Sequence, residues 1–150
     1  MIQHIMEKLW AYIVVHNPEL MIALHEENSV TRYLEEKVNA MVPAMGMMMQ
    51  EGTPDYAAVE LCLNELTAEL RPSRFDYIAD ILEEEFQQEY ARLTSHGLLA
   101  YETINLIGFC KAVFEEMGFS EENQDTSKVY YAVTGTIQQY FEQQATAAQS

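Results

Sequence analysis

The sequence predicts an all-α protein, and three observations carry that expectation. Apolar residues recur at three- and four-residue spacing along most of the chain. Most Pro and Gly residues fall in the gaps between those runs, where helices should stop and restart. No segment alternates apolar and polar residues for long enough to make a strand, and no Asn-Gly or Asp-Gly hairpin dipeptide occurs. The gaps are short, so the expected architecture is a compact bundle of five to six mostly antiparallel helices.

The first helix is expected over Ile2 to His16, with Ile5, Met6, Leu9, Ile13 and Val14 on one apolar face. Asn17-Pro18 breaks it, and 18–27 holds a short helical turn. Asn28 or Ser29 caps the next helix, whose buried stripe is Val30, Tyr33, Leu34, Val38, Met41 and Met45. Pro43 lies inside that stripe. It has no N–H to offer the Asn39 carbonyl, which predicts a kink or a restart. Gly52 ends the segment.

Thr53-Pro54 reads as a hydroxyl cap followed by proline in the first helical position. Asp55 then lies near the positive end of the helix dipole. Ala58, Leu61, Cys62, Leu66 and Leu70 form the stripe, and Arg71-Pro72 stops it. Ser73 caps a fourth helix, with Asp76 at the capping-box position. Phe75, Ile78, Leu82, Phe86, Tyr90 and Leu93 run down one side as far as the turn Ser95-His96-Gly97. A fifth helix runs from Leu98 to Met117 with Thr103, Leu106, Ile107, Cys110, Val113, Phe114 and Met117 inward, and Gly118 closes it. After the acidic loop 119–125, Thr126 or Ser127 starts the last helix, with Val129, Val133, Ile137, Tyr140 and Phe141 inward. Residues 143–150 are expected to fray. No internal repeat of fixed period and no dividing linker is evident, so residues 1–150 read as a single domain.

Composition narrows the classes of function. The chain has 150 residues, 24 acids and 8 bases, a formal charge of −16 with His neutral. Its 49% hydrophobic content excludes an acidic disordered chain. Duplex DNA binding needs Lys and Arg to neutralise phosphates, so no direct nucleic-acid binding is expected. The N-terminus shows no basic leader or cleavage site, and the uncharged stretches are too short to span a bilayer. Cys62 and Cys110 sit in apolar helical patterns and read as buried thiols. A cytoplasmic protein with no membrane partner is the expectation.

No motif for chemistry stands out. The residues three before His4, His16, His25 and His96 are Met1, Ile13, Ile22 and Leu93, so the Glu-x-x-His of a di-iron bundle is missing. There is no His-Glu-x-x-His, Cys-x-x-Cys, Walker loop, Rossmann fingerprint or nucleophile elbow. No catalytic residue, metal ligand or cofactor is therefore assigned. Gly135, isolated in a helical pattern, reads as a close helix crossing.

Two segments are candidate interaction surfaces. Between Asp55 and Glu89, ten acids face Arg71 and Arg74, a local charge of −8 that is half the excess. Glu65 and Glu69, Asp76 and Asp80, Asp80 and Glu84, and Glu85 and Glu89 are each one helical turn apart. Each such like-charge pair costs a few tenths of a kcal/mol. A solvated outer face explains this blandly; a docking face for a basic partner, including Asp76, Asp80, Glu83 and Glu84, explains it functionally. Met41, Met45, Met47, Met48 and Met49 cluster around Pro43 and Gly46. Filling a core around a kink is the plain reading. An apolar patch through Met47, Met48 and Met49 that makes a homodimer is the rival.

Several segments together resemble a Bacteroidetes family catalogued as domain of unknown function 1896. They are His16-Asn17-Pro18-Glu19-Leu20, Gly52 with the helix after it, Ser73-Arg74-Phe75-Asp76 leading into Ile81-Leu82-Glu83-Glu84-Glu85-Phe86, and Thr134-Gly135-Thr136-Ile137 with Tyr140-Phe141-Glu142. Residues 98–127 match only as a helix, and Pro72 departs from the expected apolar residue. The resemblance implies an all-helical fold and a setting in gut or oral Bacteroidetes, often near mobile elements. It implies no enzyme and no catalytic residue. The leading expectation is a non-enzymatic, acidic, protein-binding or regulatory domain. The alternatives are a nucleic-acid mimic that occupies the basic site of a DNA-binding protein, and an enzyme of unrecognised type.

Overall fold

The computed structural model describes residues 1–149, the last by its backbone alone, and among them every regular element is helical. The helices are α1 Ile2–His16, α2 Pro18–Glu26, α3 Val30–Asn39, α4 Val42–Gln50, α5 Asp55–Leu66, the 3₁₀ turn η1 Ala68–Leu70, α6 Arg74–Glu85, α7 Gln87–Ser95, α8 Leu99–Phe109, α9 Lys111–Glu116 and α10 Ser127–Gln149. Contacts divide the chain after Arg71 into two compact units. Each is described by itself.

Unit 1 runs from Met1 to Arg71. Ile5, Leu9 and Ile13 of α1 pack with Leu34 and Val38 of α3, Met45 of α4, and Val59, Cys62 and Leu66 of α5. Burying such a side chain contributes about 1.5–3 kcal/mol. Helix α1 ends at Asn17 (φ −134°, ψ 56°) because the residue before a proline is driven out of helical geometry. Helix α2 is a full nine-residue helix rather than one turn. It stops in a Schellman motif: Asn28 takes a left-handed φ of 54°, and the Ser29 N–H donates to the Leu24 carbonyl at 2.9 Å. Ser29 does not cap α3 with its side chain; its Oγ donates back to the same carbonyl. Pro43 gives the expected restart, since α3 ends at Asn39 and α4 begins at Val42.

Unit 2 begins at Pro72. Ile78, Ile81 and Leu82 of α6 pack with Leu106 of α8, Cys110, Phe114 of α9, and Val129, Val133 and Ile137 of α10. Ser73 caps α6 as expected, its Oγ accepting from the Asp76 N–H at 3.0 Å. Gly97 closes α7 with φ 70°, and the Leu98 N–H donates to the Leu93 carbonyl at 2.8 Å. That conformation suits a residue without Cβ.

The all-α expectation holds, but the long helices are subdivided. The expected fourth helix breaks at Phe86 (φ −132°, ψ 55°) and the fifth at Cys110 (φ −91°, ψ 3°). Neither break carries a Pro or Gly; Phe86 turns its ring against Phe141, centroids 5.4 Å apart. Other expectations are corrected. Pro54, not Thr53, is the N-cap position of α5 and makes no side-chain cap. Leu61 and Val14 face outward, while Val59 and Ile81 join the cores. Glu69 lies in η1 rather than a turn below Glu65 on one helix, and it pairs with Lys37 at 2.6 Å. Gly135 is exposed on α10, and a Cβ there would meet nothing within 4 Å, so it marks no helix crossing. Helix α10 continues to Gln149; Ser150, the end of the segment expected to fray, lies outside the described residues.

Candidate acidic cleft

The carboxylates of α6 come together in a cleft on unit 2. Asp76, Asp80 and Glu84 stand at successive turns of α6, rising about 6 Å per four residues. The loop before α10 brings Asp125 opposite them, and the first turn of α10 adds Tyr130 and Tyr131. The cavity so formed measures about 560 Å³, and no Lys, Arg or His lines it.

Its electrostatics follow from that lining. The Asp80 carboxyl is held above its ordinary range, first by burial, then by the charges of Asp76, Glu84 and Glu83. The Tyr130 hydroxyl donates to Glu85 at 2.8 Å and to Glu84 at 3.2 Å, tying α10 to the end of α6. Burial and those two hydrogen bonds raise its pKa. Tyr77 packs edge-on against Phe119, centroids 4.8 Å apart, and its buried hydroxyl has no hydrogen-bond partner. Burial and the charge of Asp125 raise the Tyr77 pKa. Tyr131 projects outward, 69% exposed, at the rim.

The sequence-level candidates separate. Asp76, Asp80 and Glu84 share the cleft; Glu83 is exposed on α6 outside its lining. The methionines lie on unit 1. Met45 is buried there, and Met41 and Met48 pack against its core. Met47 and Met49 are exposed at 63% and 50%. Of the three methionines offered as a surface, Met47 and Met49 are exposed and Met48 packs against the core. Sequence reasoning missed Tyr77, Tyr130, Tyr131 and Asp125. The acidic loop 119–125 was visible, but nothing in its spacing shows which helix it will face.

Neither thiol is poised as a nucleophile. Both cysteines are free and buried. Burial pushes the Cys110 thiol up to about 12, so it stays protonated at neutral pH, and burial raises Cys62 as well. Among the described residues no group of three or more His, Cys, Asp or Glu is placed to hold a metal ion. Among the described residues no helix is long and apolar enough to cross a membrane.

Fold and cleft together define an all-helical, strongly acidic protein built of two units. Residues 4–146 match the model of the family described as Domain of unknown function (DUF1896), and the chain belongs to that family. No curated protein matches the chain, and no solved structure does.

Proposed function

We propose that this protein acts by docking a basic segment of a protein partner in the acidic cleft of unit 2. One observation carries the reading: four carboxylates converge on a cavity lined by no base. Like charges gathered on one face cost stability, and an incoming Lys or Arg would relieve that cost. The tyrosines suit the same ligand, since an ammonium or guanidinium is attracted to an aromatic face. The even row Asp76, Asp80, Glu84 also suits a partner whose basic site normally holds nucleic acid, the mimic form of this reading. Met47 and Met49 would supply an apolar contact to a second copy of the chain. Two free, buried thiols support a reducing, cytoplasmic setting.

Isothermal titration of a Lys/Arg-rich peptide into the full chain tests this. Binding should weaken as salt rises and fall severalfold in Asp80→Asn/Glu84→Gln. Glu35→Gln/Glu36→Gln, which removes the same charge from α3, should bind as the parent does. Equal losses in both variants would reduce the interaction to net charge and overturn the assignment.

A further inference from the structure

We infer that the chain is an internal duplication: residues 5–66 and 74–137 are two copies of one five-helix module, each a separate cooperative unit. The helix order corresponds throughout, α1 to α5 against α6 to α10. In each copy the first helix packs on the second and third, the second on the third, and the fourth on the fifth. The breaks correspond as well. Asn17 and Phe86 share nearly the same backbone angles, φ −134° and −132°, ψ 56° and 55°. Each is followed by a nine-residue helix. Asn28 and Gly97 then close those helices with φ 54° and 70°.

The register is consistent at the level of side chains. Leu9 and Ile78, Ile13 and Leu82, Leu24 and Leu93, Leu34 and Thr103, and Met45 and Phe114 are all buried, and every pair has the same sequence separation. In the last helix the separation grows by two residues and then holds for Ala58 and Val129, Cys62 and Val133, and Leu66 and Ile137. Length differences are absorbed near the fourth helix and in the loop after it, where insertions cost little. Shared chain order, two backbone breaks and eight buried positions in register carry the duplication; the copies diverge where Ile5 matches Arg74 and Lys37 matches Leu106, and where the fifth helix packs on the first in unit 1 but on the third in unit 2.

The copies differ at one place that matters for binding. His4, Lys8, Tyr56 and Glu60 line a cavity of about 380 Å³ in unit 1, between the first and fifth helices as in unit 2. There Lys8 lies 3.9 Å from Glu60. At the matching register Lys8 becomes Tyr77, Ala11 becomes Asp80 and Val15 becomes Glu84. Asp80 and Glu84 thus have no acidic counterpart on the first helix of unit 1, whereas Asp76 matches Glu7. The duplication itself stands without the docking reading.

Hydrogen exchange with mass spectrometry on the full chain tests it, using the matched truncations Leu24→Ala and Leu93→Ala. Truncating a buried Leu lowers the protection of its cooperative unit by about thirtyfold or more. Leu24→Ala should lower protection across α1 to α5 and leave α6 to α10 unchanged. Leu93→Ala should lower it across α6 to α10 and leave α1 to α5 unchanged. Loss spreading through both copies, or falling on helices that do not correspond, would overturn the inference. Should either variant fail to fold, Leu24→Val and Leu93→Val give the same readout at smaller amplitude.

Discussion

Gly135 shows what a single residue reveals only once its surroundings are known. Its helical neighbours suggested a tight crossing, yet it lies on the open side of α10 with space for a Cβ. Glycine in a helix interior costs roughly 0.5–1 kcal/mol against alanine. Gly135→Ala should therefore stabilise the protein, raising its melting temperature by about 2–4 °C. A lower melting temperature would mean that α10 meets something at that face. Most core residues were legible from sequence, because a buried stripe repeats every three to four residues: Ile5, Leu9, Ile13, Val129, Val133 and Ile137 all are buried where the pattern put them. Leu61 and Val14 were misassigned because an apolar residue at the edge of a stripe carries no mark of which side it takes.

At the scale of elements, helix boundaries were legible where proline announced them. Pro18 and Pro43 sit at two of the breaks of unit 1 that the sequence anticipated. Phe86 and Cys110 carry no such signal, since tertiary packing rather than local chemistry bends the chain there. Helix α4 divides the methionine cluster in a way that composition could not. Met48 packs on the core while Met47 and Met49 point away from it. Met47→Gln/Met49→Gln should change stability by no more than about 0.5 kcal/mol, the usual range for surface substitutions. Met48→Gln should destabilise by about 1–3 kcal/mol, because it puts a polar amide into apolar packing. Urea unfolding measures both. Sedimentation of the double variant reads the homodimer contact: a parent that is monomeric at high concentration removes it.

For the whole molecule, the fold class and the net charge were legible, whereas the duplication and the cleft were not. The two copies share burial rather than identity, and a core accepts Leu for Ile or Phe for Met when the pattern is kept. Sequence comparison at a fixed period is blind to that, and the changed spacing before the last helix hides it further. The cleft depends on Asp125 and Tyr130 reaching α6 across about 45 residues of chain, a pairing that no local pattern encodes. Three of the four acidic α6 candidates line that cleft or are bonded across it, while the methionine candidates lie in the other unit. The most direct test of the docking claim is a nuclear magnetic resonance titration of the full chain with a Lys/Arg-rich peptide, followed residue by residue. Amide shifts should concentrate on 73–85 and 124–131, with the Asp80 carboxyl titrating at lower pH once a cation sits beside it. Shifts spread evenly over every acidic helix, or gathered on α1 to α5, would contradict it.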